Sequence, residues 1–274
     1  MKYLIFCFFG MSLMAQEKPH ELSLHAGGGL THLNYGAIST PGAGTAIGLG
    51  YRYYWSPQWS LGTGAELQLY QSQARLATAS GSSDARDAEG SDFQFRYEAK
   101  NYREKQQAYY LSLPLNLQFE TPTRGTSWYM NIGGKAAFNF RGQYRASVPE
   151  LSTTGYYPEW NAILADPAFM GFGEWSNARS EKKDWKSGTA FLVTAETGLK
   201  WPDLFINYLG IYADYGLNNI LETAPRKALI GYITDQPDQF SYTSVVAATD
   251  GQGTPLVRKM NLFSAGIRIR IVLN

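Results

Sequence analysis

Along most of this chain one parity of positions is apolar and the other is polar or glycine. That alternation is the mark of strands with one face in an apolar medium. Segment 42–54 sets Ala43, Thr45, Ile47, Leu49, Tyr51 and Tyr53 against Gly44, Ala46, Gly48, Gly50 and Arg52. Segment 59–71 sets Leu61, Thr63, Ala65, Leu67 and Leu69 against Gly62, Gly64, Glu66, Gln68 and Tyr70. Segment 108–119 sets Tyr109, Leu111, Leu113, Leu115, Leu117 and Phe119 against Ser112, Pro114, Asn116 and Gln118. Segment 127–141 sets Trp128, Met130, Ile132, Ala136, Phe138 and Phe140 against Asn131, Gly133, Lys135, Asn139 and Arg141. Segments 20–33, 188–201, 204–217 and 259–273 repeat the pattern less cleanly. Pro114 removes a ladder hydrogen bond from a strand interior, which predicts a local bulge. Asn207 falls on the apolar parity of its segment and is expected at an interface or a bulge.

The links between segments alternate in length. Ser56-Pro57-Gln58, the stretch from Glu120 to Ser127, and Pro202-Asp203 are tight. The links 3–4, 5–6 and 7–8 run to about 30 to 45 residues, far beyond ordinary loops. Short turns on one side and long loops on the other predict an all-β, eight-stranded, antiparallel up-and-down transmembrane barrel with long extracellular loops. A hairpin hidden in the 3–4 link or in the 7–8 link, where Phe240 to Val246 is strand-like, would raise the count to ten. Aromatic residues sort by height as two membrane interfaces require. Tyr51, Tyr53, Trp55, Trp59, Phe119, Trp128 and Trp201 fall at the predicted periplasmic ends. Tyr109, Phe138, Phe140, Phe191, Tyr215 and Phe263 fall at the predicted outer ends.

The N-terminus adds a route to the membrane. Lys2, the apolar run Tyr3 to Met14 and the small Ala15 read as a cleaved signal peptide over residues 1–15, leaving a barrel domain over 16–274. Cys7, the single cysteine, lies inside that run, so the mature chain is expected to have no thiol chemistry and no cysteine metal site. Losing Lys2 leaves 23 basic and 23 acidic residues, a balance that argues against nucleic acid as a partner. No apolar run after residue 15 is long enough for a membrane helix.

The interior of an eight-stranded barrel is just wide enough for side chains to fill. The inward parity carries Arg52, Lys135, Arg141, Lys200, Arg268 and Arg270 against Glu66, Glu196 and Asp214. Buried charges must be paired, so these nine residues predict a structural ion-pair network that plugs the lumen, with inward glycines making room for it.

Tyr110-Leu111-Ser112-Leu113-Pro114-Leu115-Asn116-Leu117 and Gly210-Ile211-Tyr212-Ala213-Asp214-Tyr215-Gly216-Leu217-Asn218-Asn219-Ile220 resemble strands of the OmpA-like and PorT-like outer-membrane β-barrel superfamily. Met170-Gly171-Phe172-Gly173 is similar as well. The resemblance implies a cell outer membrane protein of the Gram-negative envelope, inserted by the barrel-assembly machinery, with loops outside and termini in the periplasm. It extends to the barrel domain alone, so peptidoglycan binding is not carried over. That family has Pro at the position of Pro114.

Candidate chemistry is sparse. Some small barrels modify lipid A or cleave proteins and need a rim histidine beside a nucleophile. Here His25 is expected inward and low, and His32 has no evident serine-plus-acid pattern. No catalytic residue, cofactor site or metal spacing is expected. The expected function is a non-enzymatic structural or surface-interaction role among outer-membrane lipids. A narrow or gated channel is the alternative, and a barrel enzyme a more distant one. The link after strand 5 holds Tyr156, Tyr157, Trp160, Ile163, Leu164, Phe169, Met170, Phe172 and Trp175. These form either a cap over the mouth or a surface for a partner, with a short helix expected over Pro158 to Phe169. The 3–4 link is polar, and Ser80 to Ser91 is expected to be mobile, although Phe93, Phe95 and Tyr97 alternate and could extend the strands above the membrane.

Overall fold

The computed structural model describes residues 19–123, 125–222 and 225–273. The expected signal peptide, residues 1–15, lies outside them. Eight long strands form a closed ring: β1 (His20–Asn34), β2 (Ser39–Tyr54), β3 (Trp59–Arg86), β4 (Asp92–Glu120), β5 (Ser127–Tyr157), β6 (Ala190–Lys200), β7 (Tyr208–Gly216) and β8 (Asn261–Val272). Each pairs antiparallel with its neighbours in sequence, and β1 closes on β8 from Ser23↔Val272 to Asn34↔Asn261. Closure leaves the ring without an edge, which backbone in hydrocarbon requires. At the seam Gly29 faces Gly266, and a Cβ on Gly266 would stand 2.1 Å from the Gly28 carbonyl oxygen. Close backbone approach therefore dictates glycine there.

The alternation reads out as two faces. Leu24, Ile47, Leu49, Leu67, Leu113, Leu115, Ile132, Ile211 and Ile267 stand exposed around the outer wall, an apolar belt that water would not tolerate. Aromatics border it at both ends. Trp59 packs on Phe119 at 5.0 Å and Phe119 on Trp128 at 6.3 Å at the short-turn end; Tyr109 packs on Phe140 at 6.1 Å at the other.

Beyond the belt, β3, β4 and β5 continue as a three-stranded extension. The β3–β4 ladder runs unbroken in direction to Arg86↔Asp92, and β5 follows β4 to Gln94↔Tyr156. Ser80 to Arg86 is thus regular strand where an irregular loop was expected. Phe93, Phe95 and Tyr97 lie on the extended β4, as their alternation suggested, and are buried on its inner face. Residues 217–222 and 225–260 fold back against this inner face. Ile220, Leu229, Ile230, Val245, Val246 and Met260 join one buried cluster with Leu33, Tyr70, Tyr110 and Leu262 from the upper ring. The mouth is closed by this segment.

Several expectations need correcting. The strand-like Phe240–Tyr242 pairs with Ile230–Tyr232 inside the cap and adds no wall strand, so the barrel has eight. Pro158 to Phe169 is not one helix: 3-10 turns at Pro158–Trp160 and Ala168–Met170 flank a short strand, Ala162–Leu164. Its apolar residues divide. Tyr157 and Phe172 are core, while Trp160, Ile163 and Phe169 are exposed. Pro114 sits in unshifted register, Thr63↔Leu115 and Glu66↔Ser112 flanking it, and Thr63 Oγ1 donates to its carbonyl at 2.9 Å. The bulge lies elsewhere, between Tyr109 and Tyr110 opposite Asn139–Arg141. Asn207 closes the last short turn: its side chain donates to Leu204 O at 3.0 Å and accepts from Val272 N at 2.7 Å.

Candidate functional site in the barrel lumen

The lumen is filled by a chain of alternating charge. Asp214 accepts from Lys135 Nζ at 2.9 Å, and the same ammonium donates to Glu66 at 2.9 Å. Glu66 also accepts from Arg268 Nη2 at 2.8 Å, and Arg268 Nη1 reaches Glu196 at 2.9 Å. Arg270 donates to the other oxygen of Glu196 at 3.1 Å and to Gln118 at 3.1 Å. All six charged groups are buried. His25 Nε2 stands 3.0 Å from Glu66, and Ser264 Oγ donates to Asp214 at 3.0 Å.

A second cluster lies toward the short turns. Lys200 donates to Glu120 at 2.7 Å, and Arg52 stands 4.0 Å from Glu21 while donating to Ser60 at 3.2 Å. The Tyr54 hydroxyl lies 3.0 Å from Glu21, and that of Tyr208 lies 2.9 Å from it. Both hydroxyls also touch Glu120, at 2.7 and 3.1 Å. The Arg268 and Arg270 guanidiniums lie over the Tyr212 and Tyr208 rings at 4.4 and 4.5 Å, so each cation is held on a π face as well as by carboxylate.

The structure brings together eight of the nine residues expected here. It does not bring Arg141: the bulge opposite Tyr109–Tyr110 inserts one residue, flips the parity, and turns Arg141 outward to solvent. Glu21 and Glu120 were missed. Glu21 shares the parity of Ser23, and Glu120 continues the parity of Gln118 one residue past the segment boundary; that continuation was the available signal. With these changes five cations (Arg52, Lys135, Lys200, Arg268, Arg270) face five carboxylates (Glu21, Glu66, Glu120, Glu196, Asp214). The buried charge sums to zero, as a low-dielectric interior demands. Inward glycines provide the room: a Cβ on Gly48 would strike His25 at 2.6 Å, and one on Gly62 would crowd Arg52 at 3.1 Å. Among these charges lies a cavity of about 40 Å³ bordered by Ser23, Asn116, Asn131 and Arg268, enough for roughly two or three waters.

The rim histidine has a neighbour the sequence did not reveal. His32 Nε2 lies 2.9 Å from Ser39 Oγ, across the β1–β2 turn. That hydroxyl is committed to the turn, donating to Gly36 O at 2.8 Å and accepting from Tyr35 N at 3.2 Å.

Residues 14–222 match the model of the outer membrane protein β-barrel domain family. The chain belongs to this family. Its place is therefore the outer membrane, in keeping with the apolar wall and the two aromatic borders. Neisserial surface protein A is 10% identical, with 92% of this chain and 97% of that one aligned at a TM-score of 0.34. Ail, the attachment invasion locus protein of Yersinia pestis, is 11% identical over 93% of this chain and all of that one, at a TM-score of 0.29. No curated protein matches the sequence.

Proposed function

We propose that the protein is a closed, non-enzymatic barrel whose lumen network is structural and whose role is to hold a folded platform above the outer surface of the membrane. The observation that carries this is the neutral five-against-five lumen, whose charged side chains border a cavity of only about 40 Å³. Opening a path would require separating buried pairs, each break costing several kcal/mol. The apolar cap of residues 217–222 and 225–260 adds a second closure at the long-loop mouth. In this reading the long-loop end faces outward and the termini lie on the periplasmic side, the arrangement usual for barrels with short turns on one side. The His32–Ser39 contact supports a turn lock better than a catalytic pair, since a hydrolytic site needs the base oriented by a third group. The exposed Trp160, Ile163 and Phe169 at the end of the platform supply the apolar contact area of a surface-interaction role.

Conductance of the purified protein in planar bilayers tests the closure. The expected trace is flat, apart from noise at the level of an empty membrane. Large, stable steps would overturn the plug and favour a channel.

A further inference from the structure

The outward face of the β3–β4–β5 extension carries a column of cations set against one another in register. Arg75 faces Arg103 across the β3–β4 ladder, and Lys105 faces Arg145 across β4–β5. Arg103 pairs with Ser147, whose partner on the other side is Arg179. Arg141, turned outward by the bulge, begins the column opposite Tyr109 in the aromatic border. All six are exposed. The acids in the ladders of this face lie in other rows: Asp84 faces Gln94, Asp92 faces Arg86, Glu98 faces Ser80, Glu150 faces Lys100, Glu174 faces Ser152, and Asp184 faces Gln143. Arg75 Nη2 donates to the neutral Gln73 Oε1 at 3.3 Å; directly opposed like charges still destabilise a sheet, and facing side chains stand only about 5 Å apart, so an anion bound between two such pairs in adjacent rows would stabilise them.

Height decides what that counter-charge is. Lys105 and Arg145 lie four residues past Tyr109 and Arg141, about 13 Å along the strands and about 10 Å above the aromatic border once strand tilt is allowed for. Arg75 and Arg103 lie about 5 Å higher. An ordinary headgroup layer is only about 6 Å deep, so phosphates of simple phospholipids would meet Arg141 and stop short of the upper rows. Anions at several heights, continuous with the lipid wall, are those of a lipid with a large phosphorylated saccharide head. We infer that this column is a binding site for the phosphate groups of a glycolipid in the leaflet at the long-loop end. Paired guanidiniums at this spacing suit phosphate oxygens, which accept charge-assisted hydrogen bonds from two neighbours at once.

The inference rests on the barrel lying in the membrane with its platform in that leaflet; it does not depend on whether the lumen conducts. The test is binding in detergent to rough-type lipopolysaccharide with a phosphorylated core, beside the same material stripped of phosphate. The native protein is expected to bind the phosphorylated form at least tenfold more tightly. A variant carrying R75Q, R103Q, K105Q and R145Q should lose about tenfold or more, given the contribution of each cation near an anionic surface. A control carrying K227Q, R258Q and K259Q, exposed cations of the 225–260 segment outside the column, should bind as the native protein does. Heat-modifiable gel mobility of each variant reports that the barrel is intact. Equal affinity for the dephosphorylated material, or equal losses in the two variants, would overturn the site. Conductance steps in bilayers would instead overturn the plug and leave this site standing.

Discussion

Single residues in the lumen are not interchangeable with their surface counterparts. Lys135 bridges Glu66 and Asp214 with one ammonium. Replacing it with methionine keeps the volume but leaves Asp214 without its cation and Glu66 held by the Arg268 cation alone. Breaking a buried pair costs about 3–5 kcal/mol, so Lys135→Met should lower the urea unfolding free energy by that order. Arg141→Gln, at a position the sequence pattern places in the same network, should change it by less than about 0.5 kcal/mol. Equal losses in the two variants would contradict the assignment of Arg141 to the outer face. The difference between them was not legible in the sequence. Parity assigns both to the lumen, and the inserted residue opposite Tyr109–Tyr110 leaves no mark in an alternation whose apolar members, Phe138 and Phe140, continue through it.

Elements above the membrane are joined by one buried carboxyl. Glu104 on β4 accepts hydrogen bonds from Tyr102 Oη, Gln106 Nε2, Ser244 Oγ and Val245 N. All four donors are neutral. Burial outweighs them and raises the Glu104 carboxyl above its usual 4.5. A carboxyl with a raised folded-state value stabilises docking fully below its ordinary range and loses that contribution as pH rises through the raised value. Hydrogen exchange at the Val245 amide should therefore show greater opening of the 243–246 segment at alkaline than at acidic pH, after correction for intrinsic exchange. Glu104→Gln should remove that pH dependence. A profile identical in the two proteins would show that Glu104 does not hold the cap. The buried tyrosines around it are displaced in the same direction by burial, Tyr144 and Tyr242 to about 12, and do not titrate in the same window. The sequence marked Phe240 to Val246 as strand-like without showing where that stretch packs. That partnership joins β4 to a segment about 140 positions away, and no local period records it.

At the scale of the whole molecule, one medium explains the outer wall. Spin labels placed singly at Ile47, Leu113 and Ile267 should report hydrocarbon, with high oxygen and low polar-reagent accessibility. Aqueous surroundings at any of the three would undo the membrane assignment. Labels at Thr78 and Lys100, on the extension, should report water.

What the sequence determined by itself was whatever depends on neighbours one or two positions away. Strand alternation, the eight wall segments, the short and long links and the height of the aromatic borders all follow from a side chain's parity and its medium. The tertiary structure decided what depends on distant partners. It turned Arg141 outward through a bulge, added Glu21 and Glu120 so that lumen charge balances, lengthened β3, β4 and β5 into a platform, and closed the mouth with residues 217–222 and 225–260. Parity tells which face a residue is on. Charge balance and packing are sums over the whole enclosed volume, and only the closed ring brings their members together.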